Sequence, residues 1–491
     1  GSFITKLWTN EFLYKGIDNE VIEEPWAKIA ITGDRNQDDV VDFQDAAIAR
    51  RDDAGASEGQ YGYVVGYENY QDSMTMIAMN VGSAAQYPFL RILDNVKKIY
   101  LATDGFGQNI IIKGYQSEGH DASHPDFANY NTRAGGLDDF LTLLQNSEEY
   151  NANIGVHINH TEVYPEAPQY SIIGSTAGGW SWYDSAVQIK RENDILMTEY
   201  NGEDYQNMGE RLQQLYDDTQ GLLKNIYVDV YFDTRWAMYK LQDAINSKGM
   251  SVSTEYVNMM DKASAFGHHI DGRFNTAGNL VRFVSNETQD IFNNSTLFRG
   301  MTDRATVGID GWQTSYRLDY TIQQFFINVL PNRYLAQFPI YKYNSNTEAV
   351  LGEDMNVVTK VVNGVNIITK DGKEIANGNK IFIPWDAETE NKIYHWNSNG
   401  GSSTWYLPDS WDGIKEVYLY ELSDTGRGEP TVLKVDENGQ VTINAKASTG
   451  YVVYKEAQAE QEDVKWGEGG YVKDPGLDSH DPNYAWNAGD Q

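Results

Sequence analysis

The 491-residue chain is too long for one ordinary core, so two or three domains are expected, one of them large enough for a barrel of about 250 residues. Asp and Glu number 71 against 38 Lys and Arg, a net charge of −33 that repels nucleic-acid backbones and anionic membrane surfaces. Cysteine is absent, which removes disulfides, thiolate metal sites and a cysteine nucleophile and leaves hydroxyl, carboxylate and imidazole chemistry.

No apolar run reaches the roughly 18 residues that a membrane helix needs, so no membrane insertion is expected. The leading Gly1-Ser2 reads as a cloning remnant rather than a signal peptide. The 33 Tyr and 12 Trp suit the apolar faces of sugar rings as well as core packing. An acidic, cysteine-free, Tyr- and Trp-rich composition fits a secreted or cell-surface bacterial carbohydrate enzyme, expected to be monomeric.

Residues 1–70 are polar and acidic, with an amphipathic stretch from Val41 to Arg51 that predicts a helix. Just before it, Asp34, Asn36, Asp38, Asp42 and Asp45 fall at positions 1, 3, 5, 9 and 12 of a loop, with the carbonyl of Val40 at position 7. That is the spacing with which a calcium loop wraps a hard cation in oxygens. Asp39 stands where such loops have glycine, and Asp45 where they have glutamate. A structural Ca2+ holding this segment to the next domain is one reading; an acidic turn in which Asp42 caps the helix is the other.

Residues 71–334 alternate β-rich runs with amphipathic stretches. The runs are Met74 to Asn80, Lys98 to Asp104, Ile154 to Asn159, Ile226 to Asp229 and Met250 to Glu255; helical patterns cover Leu137 to Gln145, Met208 to Asp217 and Trp236 to Ser247. Strand, helix, strand in repetition means a parallel sheet. Each run ends in a polar residue, as at the active-site mouth of a (β/α)8 barrel, and no glycine-rich phosphate loop supports a doubly wound sheet instead. No individual strands are assigned between 265 and 330. Residues 335–457 change to short alternating runs such as Val357 to Val362, Val365 to Lys370, Lys380 to Pro384, Glu416 to Tyr420 and Tyr451 to Lys455, broken by turns such as Asp371-Gly372. That pattern predicts an antiparallel β-sandwich. Residues 458–491 read as a linker toward a further domain.

The carboxylates of Asp229 and Glu255 end consecutive runs 26 positions apart, one strand-helix-strand step, and so are expected at neighbouring strand ends. A retaining glycosidase needs two carboxyls about 5–5.5 Å apart, one attacking the anomeric carbon while the other protonates the leaving oxygen. Metal ligation or a structural hydrogen-bonding role is open to any such pair, and Asp233 is a rival nucleophile. His120, Asp121, His124 and Asp126 crowd one loop, which suits sugar hydroxyls, a metal or a self-bonded turn equally. His157 and Asn159 lie near a strand end. Trp180 and Trp182, two apart after glycines, could present both rings on one side as a sugar platform or could be core. Gln313 follows Trp312 as an isolated amide.

Together the segments Leu93 to Lys98, Ala102 to Gln108, Lys113 to Asp126, Val156 to Asn159 with Tyr164 to Ala167, Tyr227 to Val230, Gly311 to Gln313, Tyr394 to Asn397 and Thr404 to Trp411 resemble glycoside hydrolase family 101, the endo-α-N-acetylgalactosaminidases. The resemblance implies a (β/α)8 barrel followed by β domains, and retaining hydrolysis of the α-linkage between GalNAc and Ser or Thr in mucin-type glycoproteins and glycopeptides, with release of Galβ1-3GalNAc and no organic cofactor. It implies Asp229 as nucleophile and Glu255 as acid/base. It also implies sugar contacts for His120, Asp121 and His157, a lid of Trp180 and Trp182, and an amide contact from Gln313. Val230-Tyr231-Phe232 and Tyr256-Val257 depart from the family pattern beside the two carboxylates, which leaves the preferred glycan open and keeps a degenerate, O-glycan-binding member as the alternative.

Overall fold

The computed structural model describes residues 29–55, 72–80, 87–116, 119, 124, 126–159, 162–165, 167, 170, 174–175, 187–189, 208–229, 235–256, 264–269, 296–299 and 318–466. Of these, 53–55, 174–175, 187–189, 208, 235–240, 255–256 and 264–269 are described by backbone alone.

Among the described residues the first sheet has six parallel strands: β1 (Ser73–Met79), β2 (Gly107–Lys113), β3 (Ala152–Asn159), β4 (Asn225–Asp229), β5 (Ser251–Tyr256) and β6 (Ser264–His269). They lie side by side in chain order, every described pairing parallel. A doubly wound sheet reverses its order at a switch point; one that winds steadily in a single direction is the (β/α)8 arrangement. Ile110, Ile112, Ile154, Val156, Ile158, Ile226, Val228 and Val252, all fully or nearly fully buried, make the strands apolar where helices cover them.

The opposite face carries polar side chains in layers. Asn153 donates to Asn109, Asn225 donates to Ser251 Oγ at 2.8 Å, and Ser253 donates back to Asn225 at 2.7 Å. Gly155 belongs to this level, and a Cβ there would meet Asn225 and Ile111 at 2.8–2.9 Å, so no larger residue fits between the two strands.

Helix α1 (Phe43–Ala49) packs on the later strand Ile340–Asn344, whose Tyr343 N–H donates to Gln44 at 2.7 Å, while α2 (Phe89–Ala102), α3 (Gly136–Ser147), α4 (Met208–Asp218) and α5 (Arg235–Asn246) alternate with the parallel strands. One expectation is corrected. The run Lys98 to Asp104 is not a strand but the last turns of α2 and its cap, and the strand at this place is β2. Phe89, Ile92, Leu93, Val96 and Ile99 recur at helical spacing and are fully or nearly fully buried, so the run completes an apolar stripe that begins at Phe89. The helix ends with Gly105 N–H on the Tyr100 carbonyl at 2.8 Å and Asp104 N–H on Leu101 at 3.3 Å, a Schellman closure with Asp104 in the left-handed region at φ 52°.

Beyond α6 (Leu318–Gln324) and α7 (Leu330–Ala336) the chain enters the antiparallel domain. Seven consecutive strands from Ile340–Asn344 to Lys392–Asn397 form a meander, which Gly450–Tyr454 and Glu416–Ser423 continue; Gly401–Tyr406 pairs separately with Gln440–Ala445. Asp371 and Gly372 make the hairpin turn with φ of 51° and 74°, the left-handed pair that a two-residue connection requires. Alternation sorts the faces: Phe382, Ile393, Trp405, Trp411 and Val453 form the sandwich core, while Ile383, Tyr394, Trp396 and Val452 join the core that runs into the barrel. Trp396 stacks on Phe326 at 5.0 Å, and Gly450 leaves the room that Phe326 occupies.

Asp104 fastens the two domains. Its carboxylate, almost wholly buried, takes Lys392 at 2.9 Å, Arg427 at 3.1 Å and the Tyr454 hydroxyl, and Tyr394 bonds the neighbouring Thr103 carbonyl at 2.6 Å. Asp104→Ala strands two cations at this junction and is expected to lower the unfolding free energy by about 3 kcal/mol, toward the low end for a buried pair because both cations keep some solvent. Denaturant unfolding checks this, and an unchanged midpoint would contradict it.

Candidate active site

The candidate site forms where β2, β3 and β4 end. Lys113, His157 and Asp229 are the last inward residues of their strands or stand two short of the end, and the pairing places them together: Asn159 lies opposite Asp229 and His157 opposite Tyr227. His157 Nε2 lies 2.7 Å from Asp229 Oδ2, and Lys113 Nζ lies 3.4 Å from the same oxygen. Lys113 and His157 are fully buried and Asp229 is 6% exposed.

Tyr227, two residues before Asp229 on the same strand face, is the floor of the cluster. Its ring stacks under His157 at 5.5 Å and 25°, and Lys113 Nζ sits 4.6 Å from its centroid. A desolvated ammonium over an aromatic face gains up to about 2 kcal/mol, so the lysine has a seat as well as a counterion. The sequence reading did not select Lys113 or Tyr227. The available signal was the run Ile110-Ile111-Ile112-Lys113, a buried strand that closes on a charge at its C-terminal end.

Burial and the nearby Lys113 charge pull the His157 ring down to about 4 despite the opposing pull of Asp229. A neutral ring that faces a carboxylate through Nε2 carries its proton there and donates it. His124 packs against His157 at 5.2 Å, edge to face. Its Nδ1 receives the backbone N–H of Asn159 at 3.1 Å and stands 3.0 Å from Gln116 Nε2, so that lone pair is spent and cannot ligate a metal. Burial, then His157, holds His124 well below the ordinary imidazole range. Asn159 is itself clamped to Glu162, by its amide at 2.9 Å and the return bond from the Glu162 N–H at 3.2 Å.

Glu255 lies on β5. Val228 pairs with Thr254, so positions 229 and 255 are each one step past a registered pair on adjacent parallel strands. The side chain of Glu255 lies outside the described residues, as do His120, Asp121, Trp180, Trp182, Asp233 and Gln313.

The acidic loop before α1 is described in full. Asp34 accepts the N–H groups of Asp38 at 3.3 Å and Asp39 at 2.9 Å, and Asp38 accepts that of Val40 at 3.0 Å. Asp39 takes φ 66° at the position where calcium loops turn on glycine. Asp42 caps α1, and Asp45 completes the capping box while also accepting Arg35 N–H at 2.6 Å. Among the described residues no three His, Cys, Asp or Glu side chains converge as a metal-binding group. The donors are nevertheless all oxygens, and Asn36 Oδ1, fully buried, has no hydrogen-bond partner among the described residues, so the loop suits a hard cation in kind.

A family model described as endo-alpha-N-acetylgalactosaminidase matches residues 44–322, more than half of the chain. The chain belongs to glycoside hydrolase family 101. The glycosyl hydrolase 101 beta sandwich domain model matches residues 328–428, and a galactose mutarotase-like fold domain model matches residues 3–43. A Renibacterium salmoninarum protein, named by inference an endo-alpha-N-acetylgalactosaminidase, is 34% identical over 496 residues, which cover 95% of this chain and 31% of that protein. The chain thus spans about a third of the length of the curated relative it matches. Among solved structures, the alpha-N-acetylgalactosaminidase NagBb from Bifidobacterium bifidum in its GalNAc complex gives a TM-score of 0.45 at 13% identity over 67% of this chain and 62% of that one. An alpha-amylase from Geobacillus thermoleovorans gives 0.41 at 10% identity over 78% and 98%. At such scores neither likeness carries an argument about the site.

The buried histidines of this family 101 chain give a pH dependence. His157 and His395, the latter buried in the antiparallel domain, are both held near 4 in the folded protein. An unfolded histidine titrates near 6.5, so between about pH 4 and 6.5 the unfolded chain binds the extra protons and stability falls as pH falls. His395→Gln removes one such group away from the site and is expected to flatten the dependence by up to about 1.4 kcal/mol per pH unit. Unfolding free energies measured across that window check it; an unchanged slope would contradict the burial argument.

Proposed function

We propose that this chain is the catalytic region of a retaining endo-α-N-acetylgalactosaminidase that cleaves the α-bond between GalNAc and Ser or Thr in mucin-type O-glycoproteins, releasing Galβ1-3GalNAc or a related glycan. Family membership supplies the reaction class. The observation that carries the residue assignment is the Asp229 carboxylate at a strand end, held by His157 and Lys113, with position 255 at the same level of the next strand.

Adjacent strands lie about 4.8 Å apart, which suits the short carboxyl separation of a retaining pair rather than the 6.5–9.5 Å or so that leaves room for an inverting water. In the first step an Asp229 oxygen bonds C1 while Glu255 gives its proton to the departing Ser or Thr oxygen. In the second, Glu255 takes a proton from water, the water oxygen bonds C1, and the Asp229–C1 bond breaks to return the carboxylate. His120, Asp121, Trp180, Trp182 and Gln313 are proposed as sugar contacts, together with His157, whose ring orients Asp229. Secretion or display at a bacterial cell surface and action as a monomer belong to the same proposal. Among the described residues no helix is long and apolar enough to cross a membrane.

Asp229→Ala is expected to remove turnover of an aryl α-glycoside of Galβ1-3GalNAc by several orders of magnitude, and Glu255→Ala to be rescued by azide on the same activated substrate. Wild-type turnover in either variant would show the wrong pair. Binding of the disaccharide with no release by the unaltered protein would favour the glycan-binding alternative.

Asp34, Asn36, Asp38, Asp42, Asp45 and the Val40 carbonyl are proposed to hold a structural Ca2+, supported by the buried Asn36 oxygen, which has no hydrogen-bond partner among the described residues, and by the turn at Asp39. The ion would add charge compensation to the loop and take no part in hydrolysis. Calorimetric titration of metal-stripped protein is expected to show binding that Asp34→Ala weakens; no heat at millimolar calcium would end the proposal.

A further inference from the structure

Lys113 is an unusual residue to find fully buried at the end of a parallel strand. An ammonium is taken out of water only where the surroundings compensate it, and among the described residues the ring of Tyr227 at 4.6 Å and the Asp229 carboxylate at 3.4 Å do so. The other groups facing Asp229 among the described residues are His157, which is neutral, and His124 behind it, also held neutral by burial. The full positive charge that these residues bring to the carboxylate is therefore that of Lys113.

We propose that Lys113 is a positioning residue for hydrolysis: its charge keeps Asp229 an oriented carboxylate before attack and draws it back to a carboxylate when the covalent intermediate is hydrolysed. The inference rests on the reading of Asp229 as the nucleophile. When Asp229 bonds C1 and the aglycone departs with the proton from Glu255, the carboxylate becomes an ester and its negative charge is consumed. When water, deprotonated by Glu255, bonds C1, the ester C1–O bond breaks and its electron pair returns to Asp229. A fixed cation beside that oxygen favours the anion in both places where it appears. It makes Asp229 a better leaving group in the second step at some cost to its nucleophilicity in the first, and it prevents the buried carboxyl from being silenced by protonation.

The division of labour with His157 follows from geometry. Both groups reach the same oxygen, Oδ2, the imidazole at 2.7 Å with its N–H and the ammonium at 3.4 Å through its charge. His157 sets direction through a short bond, whereas Lys113 sets charge state at longer range. Tyr227 packs against both from below, so both rest on the strand that carries the nucleophile.

The test compares wild type, Lys113→Met, Lys113→Arg and Asp229→Ala on an aryl α-glycoside of Galβ1-3GalNAc with a good leaving group. Lys113→Met keeps the length and removes the charge. It is expected to raise the acidic limb of the kcat/KM profile by about one pH unit, the usual effect of losing an opposite charge at this range. It should also lower kcat with accumulation of a glycosyl-enzyme visible by mass spectrometry. Lys113→Arg is expected to bring the limb back toward wild type. Thermal unfolding reports whether each variant is folded; if Lys113→Met is not, Lys113→Gln serves in its place. A folded charge-free variant with the acidic limb unmoved, or a lysine-to-arginine change as damaging as loss of the charge, would overturn the inference while an inactive Asp229→Ala left the nucleophile standing. Turnover surviving in Asp229→Ala would instead overturn the nucleophile assignment itself and the inference with it.

Discussion

One buried carboxylate, which among the described residues is held by an ammonium and an imidazole, organises the rest of the barrel. Asp229 is nearly out of solvent, and an isolated anion there would be costly; Lys113 and His157 make it tolerable by meeting one of its oxygens. Each comes from a different strand. The sheet must therefore keep β2, β3 and β4 in one register, since a one-residue slip would turn any of the three side chains to the helix-covered face. The polar layer beneath, from Asn109, Asn153 and Asn225 to Ser251 and Ser253, pins that register with side-chain hydrogen bonds between neighbouring strands. Gly155 lets the strands come close enough for it.

The antiparallel domain belongs to this scaffold. Its barrel-facing side shares a continuous core with the barrel through Phe325, Phe326, Tyr394 and Trp396. The Asp104 junction adds charge pairing where α2 ends, and α2 leads directly into β2, the strand that carries Lys113. The strand bearing the cation is thus anchored at its start by a second domain and at its end by Asp229. A glycosidase that must hold a carboxyl to within a fraction of an ångström gains from such support on both sides.

Much of this was legible in the sequence, and the failures have physical causes. The strands that carry Asn159, Asp229 and Glu255 are legible because short β-rich runs alternate with helical stripes, and the 26-residue step between the two acids corresponds to adjacent strands. Lys98 to Asp104 misled because seven residues cannot separate a strand from the end of a helix; the stripe beginning at Phe89 decides it. That error placed Asp104 at the mouth, whereas it lies at the domain junction. Lys113 escaped notice because a lysine at the end of a strand normally reaches solvent, and only the fold brings Tyr227 and Asp229 to it. The acidic loop has both a calcium-loop spacing and a capping residue in its sequence, and the structure displays the helix cap of Asp42 and Asp45 beside a buried amide oxygen that the cap does not use.

Trapping the covalent intermediate with a fluorinated, slowly hydrolysed α-glycoside and mapping the labelled peptide by mass spectrometry reads out the nucleophile itself. The expected product carries one sugar bonded to Asp229. A label on Asp233 or another carboxylate, or no label together with release of the inverted anomer, would contradict it.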